Sequence, residues 1–128
     1  MGFSLQSVQL GSARKRNEGL RIGTVRFLPR GVQKRDYAKL NYFDIWLPNL
    51  APSGALISQV RNSKISWATF FRRYRKEMKA TEPRQLIELL ARIAAKTPIS
   101  IGCYCPDESI CHRSVLLELI REARLRTG

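Results

Sequence analysis

The sequence predicts a single α/β domain, in which a small, mainly parallel or mixed sheet is flanked by helices in three layers. The chain has 128 residues, which is the usual size of one domain. Apolar runs with a two-residue period alternate with segments of helical period. Residues 99–105 are apolar on both faces apart from Ser100 and Gly102, as an interior strand covered on both sides should be. We therefore assign one domain to residues 1–128.

Three further strands are predicted in the first half of the chain. Residues 3–10 alternate apolar and polar side chains imperfectly, and residues 20–28 do so more regularly. The second strand ends at Pro29, Arg30 and Gly31, because proline cannot donate to a sheet and glycine relaxes the backbone. A third apolar stretch covers residues 42–47 and stops at Pro48. The first strands can form a hairpin, so the strand order stays open.

Four helices follow from helical spacing and capping signals. The first runs through Val60 with Ser53 as its N-cap, and the second begins at Ser66. The second helix has an apolar stripe that is typical of a core-facing side, although a stacking surface for nucleic acid is the alternative; its members are Trp67, Phe70, Phe71, Tyr74 and Met78. The third helix covers residues 82–95 with Thr81 as its cap, and the last covers residues 111–126.

The charge of the chain is strongly positive. Lys and Arg number 23 against 10 Asp and Glu, which gives a formal net charge of +13. The excess is spread over both halves of the chain, so it is not a basic tail. Such a surface attracts polyanions and makes nucleic acid or a phosphate-bearing small molecule a plausible partner. An arginine-rich surface without a specific site is the other interpretation.

The sequence indicates no membrane segment and no cofactor. No apolar run approaches the roughly 20 residues that span a bilayer. Residues 1–10 lack both the basic opening and the apolar stretch of a secretory signal, so we expect a cytoplasmic protein. The oligomeric state is not determined by the sequence.

The three cysteines and the single histidine of the chain lie together in residues 103–112. A buried strand delivers Cys103 and Cys105 to its carboxyl end, where ligands gather in open α/β sheets. Cys111 then opens a helix whose first amide groups attract anions. This pattern predicts an anion-binding, catalytic pocket, with Cys111 as nucleophile and His112 as acid or base; Arg113 and Ser114 would bind the anion. Because consecutive helical residues point about 100° apart, all of them can face one ligand only if some belong to the preceding loop.

Other interpretations of the cysteines stay open. Cys103, Cys105, Cys111 and His112 together are a possible metal site, although the spacing differs from the usual pairs separated by two to four residues. Burial as a small hydrophobic residue is the simplest account of Cys103. A disulfide between Cys105 and Cys111 is a further alternative, although it would be unusual in a reducing cytoplasm.

A second basic cluster surrounds the turn at residues 29–31. Its members are Arg26, Arg30, Lys34 and Arg35. If the strand before this turn runs parallel to residues 99–105, Arg26 and Arg30 lie at the same sheet edge as Arg113 and complete the anion-binding pocket. Solvated turn residues are the alternative.

Several segments resemble the domain of unknown function 488 family over residues 19–125. They are the Pro-Arg-Gly turn at residues 29–31, Trp46 with the Leu-Ala-Pro-Ser segment at residues 50–53, and the Cys-His-Arg triplet at residues 111–113. Leu28 stands where the family commonly has tryptophan. The resemblance implies a small three-layer α/β domain without an established activity, and it favours a shared site for the arginine turn and the Cys-His-Arg segment.

Three hypotheses of function follow, and whether the chain is an enzyme stays open. The first is the anion- or phosphate-binding pocket described above. The second is a non-enzymatic, basic nucleic-acid-binding module that uses the helix face at residues 72–76 and the connection at residues 14–16. The third is a structural domain stabilised by a Cys/His metal site.

Overall fold

The structure, a computed structural model, describes residues 3–127 and confirms the α/β class. Met1, Gly2 and Gly128, which belong to the predicted domain of residues 1–128, lie outside the described residues. The elements in chain order are β1 (Leu5–Gln9), β2 (Leu20–Gly23), β3 (Ile45–Trp46), α1 (Gly54–Arg61), α2 (Trp67–Glu77), α3 (Thr81–Ala94), β4 (Ile99–Cys103) and α4 (His112–Thr127). Short 3-10 helices cover Lys34–Asp36, Pro48–Leu50 and Glu108–Ile110.

The four strands form one parallel sheet in the order β1-β4-β2-β3. Strand β4 lies between β1 and β2, and Ile101 pairs with Ser7 on one side and with Ile22 on the other. The first two strands therefore do not form a hairpin. Because all strands run in one direction, their carboxyl ends meet at one edge of the sheet, together with the segments that follow them.

The helices pack against one face of the sheet. The buried side chains of all four helices join Ile22, Ile99 and Ile101 in one hydrophobic cluster. In α2, Phe70, Tyr74 and Met78 belong to that cluster, which confirms the core-facing interpretation for this part of the aromatic stripe. Trp67, at the start of the same helix, is exposed.

Loops and a 3-10 helix cover the opposite face of the sheet. Phe43 packs on Gly23 of β2, and Leu10 packs on Gly102 of β4, so closely that a Cβ atom on either glycine would overlap them. Arg21 is buried on this side, where its guanidinium pairs with Glu18 and donates to the carbonyl oxygens of Ser12 and Asn41. The layer opposite the helices is therefore irregular.

Several predicted boundaries are wrong. Strand β2 ends at Gly23 and not at residue 28, because its neighbours β3 and β4 end at Trp46 and Cys103 and leave residues 25–28 without a partner strand. Helix α3 is capped by Ala80, whose carbonyl oxygen accepts the Arg84 amide, and Thr81 is the first helical residue.

The boundaries predicted for β4 and α4 also differ from those in the structure. Cys105 lies two residues beyond the end of β4, and Cys111 has an extended backbone immediately before α4. Both cysteines therefore belong to the loop between β4 and α4. None of the helices in the described part of the chain combines the length and the apolar character that a membrane crossing requires.

Candidate functional site

The three cysteines and the histidine meet at the carboxyl edge of the sheet. The Sγ atoms of Cys103 and Cys105 are 3.8 Å apart, and Cys111 Sγ is 3.8 Å from Nδ1 of His112. The Sγ atoms of Cys103 and Cys111 and a ring nitrogen of His112 all lie within 4.8 Å of one another. All three cysteines are free thiols, so the alternative of a disulfide between Cys105 and Cys111 is not present. We call these four side chains the thiol cluster.

His112 is held in one orientation by the end of β2. Its Nε2 lies 2.7 Å from the carbonyl oxygen of Thr24, and its ring packs edge-on against Tyr74. Because a carbonyl oxygen can only accept, Nε2 carries the hydrogen and Nδ1 of the neutral ring keeps its lone pair. That lone pair faces the thiols.

Arg113 lies inside the protein and holds the backbone of the cysteine loop. It is 3% exposed, its Nε donates to Ser7 Oγ at 2.7 Å, and its Nη1 donates to the carbonyl oxygen of Cys105 at 2.6 Å. The same Nη1 is 3.9 Å from Cys111 Sγ. These contacts connect β1, the loop after β4 and α4 around one buried charge.

A cavity of about 360 Å³ opens beside the thiol cluster and is lined by all four of its members. The walls are largely apolar and come from the segment after β2, from α1 and from α2; they include Val25, Phe27, Ile57, Val60, Trp67 and Phe70. Arg26 and Arg61 also line this cavity. The thiol cluster therefore lies within reach of a ligand.

A second, more open hollow of about 520 Å³ adjoins the cavity. The two share Phe27, Arg61 and Tyr104 as lining residues. The Pro-Arg-Gly turn forms part of the second hollow, and Gly31 has a φ of 71°, a conformation that favours glycine. We call the two neighbouring hollows, which reach from the exposed turn to the thiols, the groove.

The comparisons with known proteins agree with the predicted resemblance. The family model DUF488-N3a, described as the active DUF488-N3 subclade, matches residues 5–124. The chain belongs to this family. The uncharacterized protein YeaO of Escherichia coli strain K12 is 28% identical over 119 residues, which cover 93% of this chain and 98% of that protein. No solved structure matches the chain.

The pKa values of the thiol cluster are strongly shifted in this DUF488-N3a protein. Hydrogen bonds from Cys103 and Cys111 lower the pKa of the half-buried Cys105 thiol to about 2. The hydrogen bond with Cys105 and burial raise the pKa of Cys103. Hydrogen bonds with Cys103 and Cys105, together with burial, raise the pKa of Cys111. Burial lowers the pKa of His112 to about 4, so its ring is neutral near pH 7. Strongly perturbed groups that share a cavity are typical of functional sites.

The structure places the predicted site residues of the DUF488-N3a chain in two groups. Cys111 and His112 line the cavity, but both are buried, and the catalytic roles predicted for them stay predictions. Arg26 lines the same cavity, and its guanidinium donates to the carbonyl oxygens of Ala51 and Pro52. Arg30 lies on the exposed turn in the adjoining hollow.

Arg113 and Ser114, which are predicted to bind an anion, do not line either hollow. Arg113 lines neither hollow, because its guanidinium is engaged by Ser7 and by carbonyl oxygens. Ser114 Oγ donates to the carbonyl oxygen of Cys111 at 2.9 Å, which holds the first turn of α4. Arg30 lines the second hollow and Arg113 lines neither, so their anion-binding roles stay predictions.

Sequence reasoning missed three groove residues of this DUF488-N3a protein, namely Phe27, Arg61 and Tyr104. Phe27 lies two residues before the Pro-Arg-Gly turn, within residues 20–28, which the alternating pattern predicts to be a strand. Arg61 ends α1 and Tyr104 separates two cysteines. Nothing in their spacing links them, because only the packing of α1 beside the β4–α4 loop brings them together.

Proposed function

We propose that this protein binds a phosphate-bearing small molecule with a planar ring, such as a nucleotide, in the groove. The observation that carries this proposal is the pairing of two exposed arginines, Arg30 and Arg61, with the exposed aromatic ring of Phe27 along the groove. Arginine binds phosphate through its planar fork of donors, and aromatic side chains stack on nucleobases.

The arginine side chains of the groove are not paired with carboxylates in the part of the chain that the structure describes. Among residues 3–126, no carboxylate forms an ion pair with Arg26, Arg30 or Arg61. The net charge of +13 adds a long-range attraction for any anion that approaches. A phosphate at the mouth of the groove would therefore meet guanidinium groups that are not already neutralised.

Two aromatic side chains, Phe27 and Tyr104, would contact the planar ring of the ligand. Phe27 is 61% exposed, which is unusual for a phenylalanine and leaves its ring available. Tyr104 lies beside it, and the Tyr104 hydroxyl donates to the carbonyl oxygen of Phe27 at 2.9 Å. This hydrogen bond ties the loop after β4 to the segment after β2 and fixes two rings at the boundary of the two hollows.

The basic clusters proposed for a nucleic-acid-binding module are partly neutralised. On α2, Arg75 forms ion pairs with Glu118 and Glu122 of α4. On the connection after β1, Arg14 forms an ion pair with Asp44. These contacts favour the groove over the helix face as the site where an anion binds.

Calorimetric titration with each of the four ribonucleoside 5′-monophosphates tests the proposal. We expect at least one to bind, and we expect Arg30→Gln and Arg61→Gln each to weaken it about tenfold, because each removes a charge-assisted hydrogen bond. Arg72→Gln is the matched control, since Arg72 is also an exposed arginine but lies on α2 outside the groove. Its substitution should leave the affinity unchanged.

Two results would overturn this function. One is the absence of binding tighter than about 1 mM for all four nucleotides. The other is tight, steeply salt-dependent binding of a single-stranded oligonucleotide that is weakened by Arg72→Gln and unaffected by Arg61→Gln, which would identify the helix face as a nucleic-acid-binding module.

A further inference from the structure

We infer that the thiol cluster is a binding site for one zinc ion, with Cys103, Cys105, Cys111 and Nδ1 of His112 as its ligands. This inference goes beyond the proposed function, because it concerns the floor of the cavity and shares no residue with the nucleotide-binding groups Arg30, Arg61 and Phe27. It rests on three features of the described residues: the spacing of the donor atoms, the orientation of the histidine and the position of Arg113.

Two of the distances between donor atoms match those of a tetrahedral zinc site. Two sulfur ligands about 2.3 Å from a tetrahedral zinc ion are about 3.8 Å apart. The Cys103 and Cys105 sulfurs are separated by 3.8 Å, and Cys111 Sγ and His112 Nδ1 by 3.8 Å. Cys103, Cys111 and His112 form a group within 4.8 Å, and Cys105 adjoins it through Cys103. Movement of Cys105 toward the other three donors would complete the coordination.

The histidine is oriented as a metal ligand should be. Metal-binding histidines usually donate their second ring N–H to a carboxylate or a backbone carbonyl, which fixes the tautomer. The Thr24 carbonyl oxygen accepts from Nε2 at 2.7 Å. This contact is independent of the thiols, and it leaves the Nδ1 lone pair directed at Cys111.

Arg113 supplies a balancing charge and rigidity. Three thiolates around Zn²⁺ carry a net charge of −1, and the Arg113 guanidinium lies 3.9 Å from Cys111 Sγ. The same side chain donates to the carbonyl oxygens of Cys103 and Cys105, so it holds both of these ligands by their backbone. Arg113 would therefore act as an outer contact that orients the ligands of the metal.

The donor set selects the class of metal. Three sulfurs and one imidazole nitrogen suit zinc and other soft ions, whereas magnesium and calcium prefer oxygen ligands. Cys105 is the half-buried member, and the cavity reaches it. The site would therefore lie at the wall of the cavity and not in a sealed core.

The experiment titrates Zn²⁺ into the full-length protein after chelator treatment under reducing conditions. We expect one zinc per chain by elemental analysis and protection of all three thiols from iodoacetamide. With Co²⁺ in place of zinc, we expect the intense thiolate charge-transfer and visible bands of a tetrahedral site. Since loss of an outer partner alone costs about 10–100-fold, Cys103→Ser should lower the zinc affinity at least about 100-fold.

The control variant is Asp107→Asn, which removes an exposed carboxylate from the same loop and should leave zinc affinity unchanged. Cobalt spectra and thiol protection use the unaltered chain, so the test does not depend on the folding of a variant. The inference is overturned if the folded chain takes up no stoichiometric zinc, or if it binds zinc while its thiols stay reactive. The titration contains no nucleotide, so failure here would leave the groove's proposed function standing.

Discussion

At the scale of single residues, Arg113 shows how a charge predicted to bind a ligand can be used inside the fold. Its contacts run to Ser7 Oγ, to the carbonyl oxygens of Cys103 and Cys105, and to Cys111 Sγ. A buried guanidinium needs such partners, because an unpaired buried charge is strongly destabilising. Arg113 therefore shapes the site by positioning the cysteines.

Gly102 carries a stability prediction at the same scale. A Cβ atom at Gly102 would lie 2.2 Å from Leu10 Cδ2, so Gly102→Ala must displace Leu10 from a packed layer. We expect a loss of about 1–3 kcal/mol in the free energy of unfolding, measured by urea denaturation.

Gly54→Ala is the matched control for that substitution. Gly54 is the first residue of α1, and a Cβ atom there meets nothing within 4 Å. We expect Gly54→Ala to be neutral or to stabilise by up to about 1 kcal/mol. Equal losses from both glycine substitutions would contradict the close approach of Leu10 to β4.

Among the helices, α2 begins at the predicted N-cap residue, Ser66, whereas α3 does not begin at its predicted cap, Thr81. Ser66 Oγ accepts the Thr69 amide at 3.1 Å and caps α2, whereas Ala80 precedes α3 and Thr81 lies within its first turn. We expect Ser66→Ala to cost about 1 kcal/mol of unfolding free energy and Thr81→Ala to cost less than about 0.5 kcal/mol. Urea denaturation of both variants measures the difference, and a larger loss from Thr81→Ala would refute this assignment of the α3 start.

Strand β4 runs from the hydrophobic core, to which Ile99 and Ile101 belong, to the thiol cluster. All five of its residues are buried, as its apolar sequence predicted, and it pairs with a strand on each side. Its carboxyl end delivers Cys103 to a fixed position, and the Leu10 amide donates to the Cys103 carbonyl oxygen at 2.9 Å. A buried strand that is paired on both sides therefore carries the first residue of the thiol cluster.

At the scale of the whole molecule, two carboxylates tie the irregular layer to the sheet. Glu18 accepts from Arg21 and from the Lys15 amide, and Asp44 accepts from Arg14 and from the Arg21 amide. Burial alone would raise the pKa of each carboxyl, but these hydrogen bonds and the arginine charges outweigh it and lower both values.

The lowered pKa values give the direction of a pH dependence. A carboxyl whose pKa is lower in the folded state stabilises the fold above its ordinary pKa, 4.5 for Glu18 and 3.8 for Asp44. That contribution is lost as the pH falls through the folded values. Urea denaturation should therefore show falling stability below about pH 4.5.

Asp44→Asn tests the source of this acid sensitivity. The variant should be less stable than the parent near pH 7, and its stability should fall less steeply on acidification, because one of the two titrating carboxyls is gone. Parallel curves for the parent and the variant below pH 4.5 would show that Asp44 does not contribute to the acid sensitivity.

Local sequence patterns were sufficient to predict the α/β class, the approximate positions of the four α-helices, the buried strand β4 and the clustering of cysteines beside His112. These features are local, because hydrophobic periodicity and capping depend on neighbouring residues. Strand order, the burial of Arg113 and the groove between α1 and the β4–α4 loop depend on contacts between distant residues, such as Arg113 with Ser7. These features could not be predicted, because no local pattern distinguishes a guanidinium that faces water from one that donates to a buried carbonyl oxygen.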